Sequence, residues 1–296
     1  MEINDHKIHI EVRESLDIII LTFNEEKNIE ACLQSVTALN GTIYIVDSGS
    51  TDHTLAICNT YTDQVYHHPF ENYSAQRNWA LKNLPLSGTW ILNLDADHRV
   101  TAELATEMES LLSAGIGTSL NGFLISRRTM FMNKWIRHGG HYPTYHANMF
   151  RNGFGSCEEK LYDQHFVISG QTKILRGDII DIITDSISTF VIRHNHWATL
   201  EAQYQVAKKD LSDNGLIQPN VWGDPMQRRR YMKNKYEAFP LFVRPVLYFL
   251  IRYFLKFGFL DGRTGFVFHF LQGFWFRMII DIKIYELLQL RKNEIK

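Results

Sequence analysis

Three apolar runs near the start of the chain each stop on polar, mostly acidic residues, and this pattern narrows the possible folds sharply. Asp17 to Phe23 (DIIILTF) gives way to Asn24, Glu25 and Glu26. Gly41 to Val46 (GTIYIV) ends at Asp47, followed by Ser48, Gly49, Ser50, Thr51 and Asp52. Trp90 to Leu94 (WILNL) ends at Asp95, Ala96 and Asp97. Continuous apolar runs of this length read as strands buried on both faces, the habit of a parallel sheet. Segments with helical spacing separate them, from about Lys27 to Thr37 and from the capping turn at Asp52 to about Cys58. A short strand near Val65 follows, then helices at Tyr73–Asn83 and Thr101–Ala114 and a strand at Gly122–Met130. Strand and helix alternating at these intervals predict right-handed βαβ units in an α/β, mostly parallel sheet. Ligands bind such sheets beyond the C-terminal strand ends, where these acids fall.

Asp95 and Asp97 carry the sharpest chemistry. If the strand persists to Asp97, its two-residue period puts both carboxylates on one face. Their mutual repulsion suits a divalent cation bridging a diphosphate, since Mg²⁺ takes one or two carboxylates plus phosphate oxygens. No GxGxxG follows the first strand and no Walker A sequence is present, which weakens dinucleotide and P-loop readings.

The series TFNEEKNI, IVDSGSTDHT, AQRNWAL and WILNLDAD resembles the N-terminal part of family 2 glycosyltransferases, which have the GT-A fold. The resemblance covers roughly the first third of the chain, with the four motifs in order. It implies a nucleotide-diphospho-sugar donor, a divalent metal (Mg²⁺ or Mn²⁺) and inversion at the anomeric carbon. By the same resemblance Thr22 and Glu25 line the nucleoside, Asp47 contacts base or ribose, and Arg77 lies on the helix facing the donor. Asp95 and Asp97 match the DxD pair, with Asp97 the direct metal ligand.

Glycosyl transfer to a hydroxyl needs a general base. Family members commonly carry an acid where this chain reads NGFGSCEEKL, Asn152 to Leu161. The base is assigned to Glu159, with Glu158 one residue away as the alternative; adjacent carboxylates raise one another's pKa. Between the sheet and this base, Trp135, His138, His141 and Tyr145 are acceptor-site candidates. They offer aromatic faces and imidazoles beside the paired Gly139 and Gly140. The spacing of His138, His141 and His146 matches no zinc pattern. A long helix over residues 188–214, ended by Gly215, carries His194 as a further candidate toward diphosphate or acceptor.

The 296 residues carry a formal charge of −1, so nothing overall points to nucleic acid. Cys32, Cys58 and Cys157 lack metal or redox spacing and fit a reducing cytoplasm. The polar N-terminus shows no signal-peptide core. The division expected is a catalytic domain over 1–215 and an aromatic-rich amphipathic helical region over 216–296. Within the former, the donor half spans about 15–130 and the acceptor half about 131–215. In the C-terminal region, Arg228, Arg229 and Arg230 open a basic patch with Lys233 and Lys235. No run there reaches the ~20 apolar residues of a spanning helix. Arg244, Arg252 and Lys256 fall within about 120° of one helix face, opposite Phe, Tyr and Leu. That pattern predicts a helix lying on the inner leaflet of the cytoplasmic membrane, or else a helical lid packed on the catalytic domain. The segment from Phe259 to Glu286 also resembles the C-terminal region of bacterial polysaccharide and lipopolysaccharide-core transferases.

The function expected is inverting, metal-dependent transfer of a sugar, UDP-linked by preference, to a lipid-linked glycan or lipopolysaccharide core. Two alternatives are a sugar nucleotidyltransferase and a non-catalytic membrane-bound glycan- or nucleotide-binding protein.

Overall fold

A computed structural model describes residues 13–160, 163–184, 186–208 and 217–294. The polar N-terminus up to residue 12, Leu161 and the expected helix end at 214–215 lie outside these residues.

In chain order the catalytic half runs β1 (Leu16–Thr22), α1 (Ile29–Val36), β2 (Thr42–Asp47), α2 (Thr54–Cys58), β3 (Val65–His67), α3 (Tyr73–Asn83) and β4 (Trp90–Asp95). It continues with β5 (His98–Val100), α4 (Ala102–Ala114), β6 (Leu120–Phe131), β7 (Lys134–Trp135), β8 (Tyr145–Arg151), β9 (Gly155–Cys157), β10 (Phe166–Ile168) and β11 (Gln171–Ile182). Helices then dominate: α5 (Ile187–Lys208), α6 (Pro225–Glu237), α7 (Val243–Leu250), α8 (Gly262–Phe268) and α9 (Phe276–Glu294). Two π-helical stretches, Ile251–Leu255 and His269–Trp275, extend α7 and α8.

The sheet order is β3-β2-β1-β4-β8-β6-β11-β5, with β7 paired to β6. Strands β1 to β4 are mutually parallel where they pair, and β11 runs parallel to β6. Only β8, β5 and the short β7 pair antiparallel in this sheet. This is the mostly parallel, helix-flanked GT-A architecture expected. Period-2 alternation along β1 sends Ile18 and Ile20 into one core and Ile19 into the core on the other face. Helix α1 covers the first core with Ile29, Cys32, Leu33 and Val36, the i, i+3, i+4, i+7 spacing that marks a helix face. Helix α3 starts where Asn72 caps it, its side chain accepting from the Ala75 N–H at 2.8 Å. Before β4, the buried Asp17 carboxylate accepts from the Ser87 and Gly88 N–H groups at 2.8 and 2.7 Å. A Cβ at Gly88 would lie 2.8 Å from the Asp17 carboxyl carbon, so only glycine lets this turn close.

The C-terminal helices pack on the rest of the chain through a shared core and hydrogen bonds. Ala198, Ala202 and Val206 of α5 share a core with Phe276, Ile280 and Ile284 of α9. The Asp261 carboxylate accepts from the His138 backbone N–H and ring, at 2.9 and 2.8 Å, and Gly139 N–H donates to the Lys256 carbonyl at 2.8 Å. No helix among the described residues is long and apolar enough to cross a membrane.

The cation arc is corrected. Arg244 is 3% exposed and donates to Asp281 through Nε at 2.8 Å and Nη2 at 2.5 Å. Arg252 turns inward onto Tyr248, and of the three only Lys256 is exposed. The basic patch is also partly consumed. Arg230 meets Glu158 at 2.7 Å, and Lys233 meets Asp163 at 2.9 Å and Glu201 at 3.1 Å. Charges read in isolation look solvated, but buried acids elsewhere in the chain claim them. The face left in solvent is the apolar one: Val243, Val246, Leu247, Leu250, Ile251, Phe254 and Leu255 are all exposed, Leu255 at 72%.

Candidate active site

Strand β4 ends at Asp95 rather than continuing to Asp97, so strand alternation is not what brings the two acids together. A turn does it. Ala96 N–H donates to the Leu21 carbonyl at 3.0 Å, and the Asp95 N–H donates to His98 Nδ1 at 3.0 Å. Carboxylate and imidazole atoms of Asp95, Asp97 and His98 then lie within 4.8 Å of one another. Because Nδ1 accepts, the ring proton of neutral His98 sits on Nε2, which faces Asp95 Oδ2 at 3.7 Å. Burial first, then Arg127, pulls His98 down to about 3, so the ring is neutral. A protonated Nε2 is a donor and not a metal ligand, so His98 orients Asp95 and leaves ligation to carboxylates.

Arg77, projecting from α3, donates to both oxygens of Asp95 at 2.8 and 3.0 Å. Burial by itself raises the Asp95 carboxyl, but Arg77, with His98 and Arg127 behind it, more than offsets this and brings it down to about 2. Asp97 has no such partner: its carboxylate makes no hydrogen bond or ion pair among the described residues. Burial, then Asp181, Asp95 and Glu25, push it well above the ordinary carboxylate range. The sheet edge therefore holds several carboxylates, one of them without an ion pair among the described residues. Hard oxygen donors in excess of local positive charge fit a divalent cation, with Asp97 and Asp95 as the groups to hold it.

Asp181 is the residue that sequence reasoning missed. It lies in β11, paired in register with His98 of β5, and the Ile182 N–H donates to the Asp97 carbonyl at 3.1 Å. Arg127 of β6 approaches Asp181 at 3.7 Å. The signal was available: GDIIDI is one more apolar run carrying an acid at its C-terminal end. The charges of Arg127 and of Arg193, near the start of α5, both reach Asp97 and Asp181.

The nucleoside-side residues occupy the same edge. Thr22 and Asp47 are register partners across β1 and β2. The Thr22 hydroxyl is buried without a hydrogen-bond partner among the described residues. The Asp47 carboxylate is buried and filled by its own loop, accepting from the Gly49 and Ser50 N–H groups at 2.8 and 2.9 Å and from the Ser50 hydroxyl at 2.5 Å. It therefore shapes the loop, and free lone pairs for a base are few. Glu25 accepts from the Asn28 amide at 2.8 Å, and its backbone N–H donates to the Thr54 hydroxyl.

The two candidate bases diverge. Glu158 is 1% exposed and fixed between Arg230 and Lys160, at 2.7 and 3.0 Å. Both oxygens of this carboxylate are thus committed to cations of its own chain. Glu159 is exposed on the same loop. Among the acceptor candidates, His138 is tied to Asp261, as above. His194 is buried, its Nδ1 2.8 Å from the Phe190 carbonyl and its ring stacked 3.6 Å over Phe190. Burial pulls it down to about 4. It is a neutral core residue joining α5 to Phe276 and does not face a ligand. Trp135 lies between the Arg128 and Arg137 guanidinium groups, at 4.8 and 4.6 Å. His141 packs on Phe268 at 4.6 Å. Tyr145 lines a small cavity with Asp163, His165 and Arg229. The five acceptor candidates are thus spread over several contacts and do not converge on one pocket.

The chain resembles known glycosyltransferases over most of its length. The chain is 25% identical over 270 residues to the lipopolysaccharide core biosynthesis glycosyltransferase LpsC of Rhizobium meliloti, covering 86% of this chain and 89% of that one. It is 24% identical to an uncharacterized glycosyltransferase of Rickettsia typhi, over 85% of this chain and 80% of the relative. Among solved structures, glucosyl-3-phosphoglycerate synthase from Mycobacterium tuberculosis, in complex with Mg²⁺ and uridine diphosphate, is 20% identical. That match covers 39% of this chain and 44% of the other, at a TM-score of 0.31. The family model for glycosyl transferase family 2 matches residues 17–167. The chain belongs to the family 2 glycosyltransferases.

Proposed function

We propose that this glycosyltransferase moves a sugar from a nucleotide-diphosphate donor, UDP-linked by preference, to a lipid-linked glycan or lipopolysaccharide-core acceptor, with inversion at the anomeric carbon. The observation that carries the proposal is the Asp97 carboxylate, which makes no ion pair among the described residues and lies beside Asp95 in the field of Asp181 and Glu25 at the C-terminal sheet edge. A divalent cation held by Asp97 and Asp95 would neutralise the diphosphate of donor and leaving group. Arg77 keeps Asp95 ionised and aimed, and His98 fixes its backbone. Thr22, Glu25 and the Asp47 loop border the nucleoside side. Glu159 takes the proton from the acceptor hydroxyl as its oxygen attacks the anomeric carbon from the face opposite the leaving group. Its exposure and the capture of its neighbour Glu158 support that assignment.

The exposed apolar stripe along α7 and its π-helical extension supports peripheral docking of the C-terminal region on the inner membrane leaflet. An uninterrupted stripe of seven large apolar side chains in solvent marks an interaction surface. Resemblance to a lipopolysaccharide-core relative over most of both chains suits an acceptor carried at that surface.

A screen of donor hydrolysis across UDP-, GDP-, CMP- and dTDP-sugars with Mn²⁺ and Mg²⁺ tests the proposal. Metal-dependent release of nucleoside diphosphate is expected. Pyrophosphate release would instead identify a nucleotidyltransferase, and absence of turnover with every donor a binding protein.

A further inference from the structure

On the π-helical extension of α7, the arginine beside the exposed stripe is electrically unfinished. Arg252 donates through Nη1 to the Tyr248 hydroxyl, and its guanidinium lies 5.1 Å over that ring. Arg277 of α9 lies 4.9 Å over the same ring. The Nε and Nη2 atoms of Arg252 are buried and meet no acceptor, and no carboxylate pairs with Arg252 among the described residues. Arg244, eight residues earlier, shows the contrast: Asp281, Gln205 and the Glu237 carbonyl fill its fork. Leaving a charged donor buried without an acceptor costs more than the neutral case, so such a group is retained where something completes it.

His269 adds a second, independent observation. It is fully buried, and neither ring nitrogen has a partner among the described residues. Two glycines hold the ring closely. A Cβ at Gly139 would fall 2.1 Å from its Cε1, and one at Gly258 2.6 Å from its Nε2. His141 lies 5.8 Å away, centroid to centroid. Arg252 and His269 each sit in a π-helical stretch, a widened turn frequent at functional sites.

The titratable groups here all sense excess positive charge. Burial by itself raises the Tyr248 phenol, yet Arg252, Arg277 and Arg229 bring it down to about 7. Burial first, then Arg252, holds His141 well below its ordinary range and His269 at about 4. The acid in reach of His269 is Asp261, and His138 already occupies it.

We propose that Arg252, Arg277, Tyr248, His269 and His141 form a binding site for a phosphate-type oxyanion, separate from the acids at Asp95 and Asp97. A guanidinium fork alone satisfies a planar carboxylate. Guanidinium, phenol and imidazole donors together suit a tetrahedral group with three free oxygens. The phosphate belongs either to a lipid at the membrane surface or to a soluble phosphate ester.

The full chain is titrated calorimetrically with inorganic phosphate at constant ionic strength. It is also floated with phosphatidylcholine vesicles with and without phosphatidic acid. The expected result is phosphate binding, preferential flotation with phosphatidic acid, or both, weakened at least about tenfold in R252Q. Binding of free phosphate identifies a soluble source, and selectivity for phosphatidic acid alone a lipid-borne one. If R252Q does not fold, R252K replaces it, since it keeps the charge and loses the fork. A wild type that neither binds phosphate nor distinguishes the vesicles overturns the inference, as does a folded Arg252 variant that binds like wild type. Binding of UDP with Mn²⁺ is measured on the same preparation: its absence with phosphate binding intact counts against the proposed function and leaves this site standing.

Discussion

Glu158 and Glu159 are adjacent in the chain and face opposite fates: the first is buried between Arg230 and Lys160, at 2.7 and 3.0 Å, and the second stands in solvent. One acid secures α6 to the catalytic sheet, and its neighbour is left free for chemistry. Glu158→Gln is expected to cost about 3–5 kcal/mol in urea unfolding, because it leaves Arg230 buried without its counter-ion. Glu159→Gln is expected to change stability by less than about 0.5 kcal/mol. It should retain donor binding and lower turnover ~10²–10⁴-fold. A fully active Glu159→Gln enzyme would place the base elsewhere.

Asp163 supplies the pH dependence. Burial alone raises its carboxyl, but Lys233 and then His165 hold it well below the ordinary range. A carboxyl depressed in the folded state stabilises the protein above its unfolded pKa, near 3.9, and loses that contribution as pH falls toward the folded value. Wild type should therefore exceed Asp163→Asn by roughly 2 kcal/mol at pH 7, between the values for exposed and buried pairs. The two urea midpoints should converge as pH falls below about 4. A gap that is constant with pH would mean that packing, not charge, sets the effect.

The surface of α7 makes a separate prediction. Placing glutamate at Leu250 and Phe254 together should abolish flotation with liposomes while leaving the melting temperature near wild type, since both side chains already face solvent. High salt should release the wild type only in part, because screening leaves apolar burial untouched. Arg244→Glu should behave differently. It sets a second carboxylate against Asp281 in the interior and should destabilise the fold by at least about 3 kcal/mol. Unchanged flotation of the Leu250/Phe254 double variant would reassign the stripe to a protein partner.

The donor half was legible in the sequence because its strands are buried on both faces and its helices are amphipathic. Tyr73–Asn83 and Trp90–Asp95 match the expected bounds at both ends. Strands β8 and β11 were not read. In β11 the apolar pattern is interrupted by exposed Lys173 and Arg176 and by Asp178, a buried acid that accepts from Arg128 on β6; the Arg176 backbone N–H donates to Glu107 on α4. Asp181 was lost with that strand, and with it one carboxylate near the candidate metal site. Ion-pair partners explain the other misses. Sequence shows that Arg244, Arg230 and Lys233 are cations, but the acids that bury them, Asp281, Glu158 and Asp163, lie 37, 72 and 70 residues away. The Nδ1 atoms of His194 and His138 are engaged in the same way, by contacts formed only in the folded chain, with the Phe190 carbonyl and Asp261.

Asp97→Asn tests the central claim most directly. The substitution removes one charge from a repelling carboxylate cluster, so the metal-free variant should melt at or above the wild-type temperature. Addition of Mn²⁺ with UDP should raise the melting temperature of wild type and leave that of the variant unmoved. Metal-dependent donor turnover should fall at least ~100-fold. An Asp97→Asn enzyme that turns over donor at the wild-type rate, with metal still required, would contradict the assignment of the site.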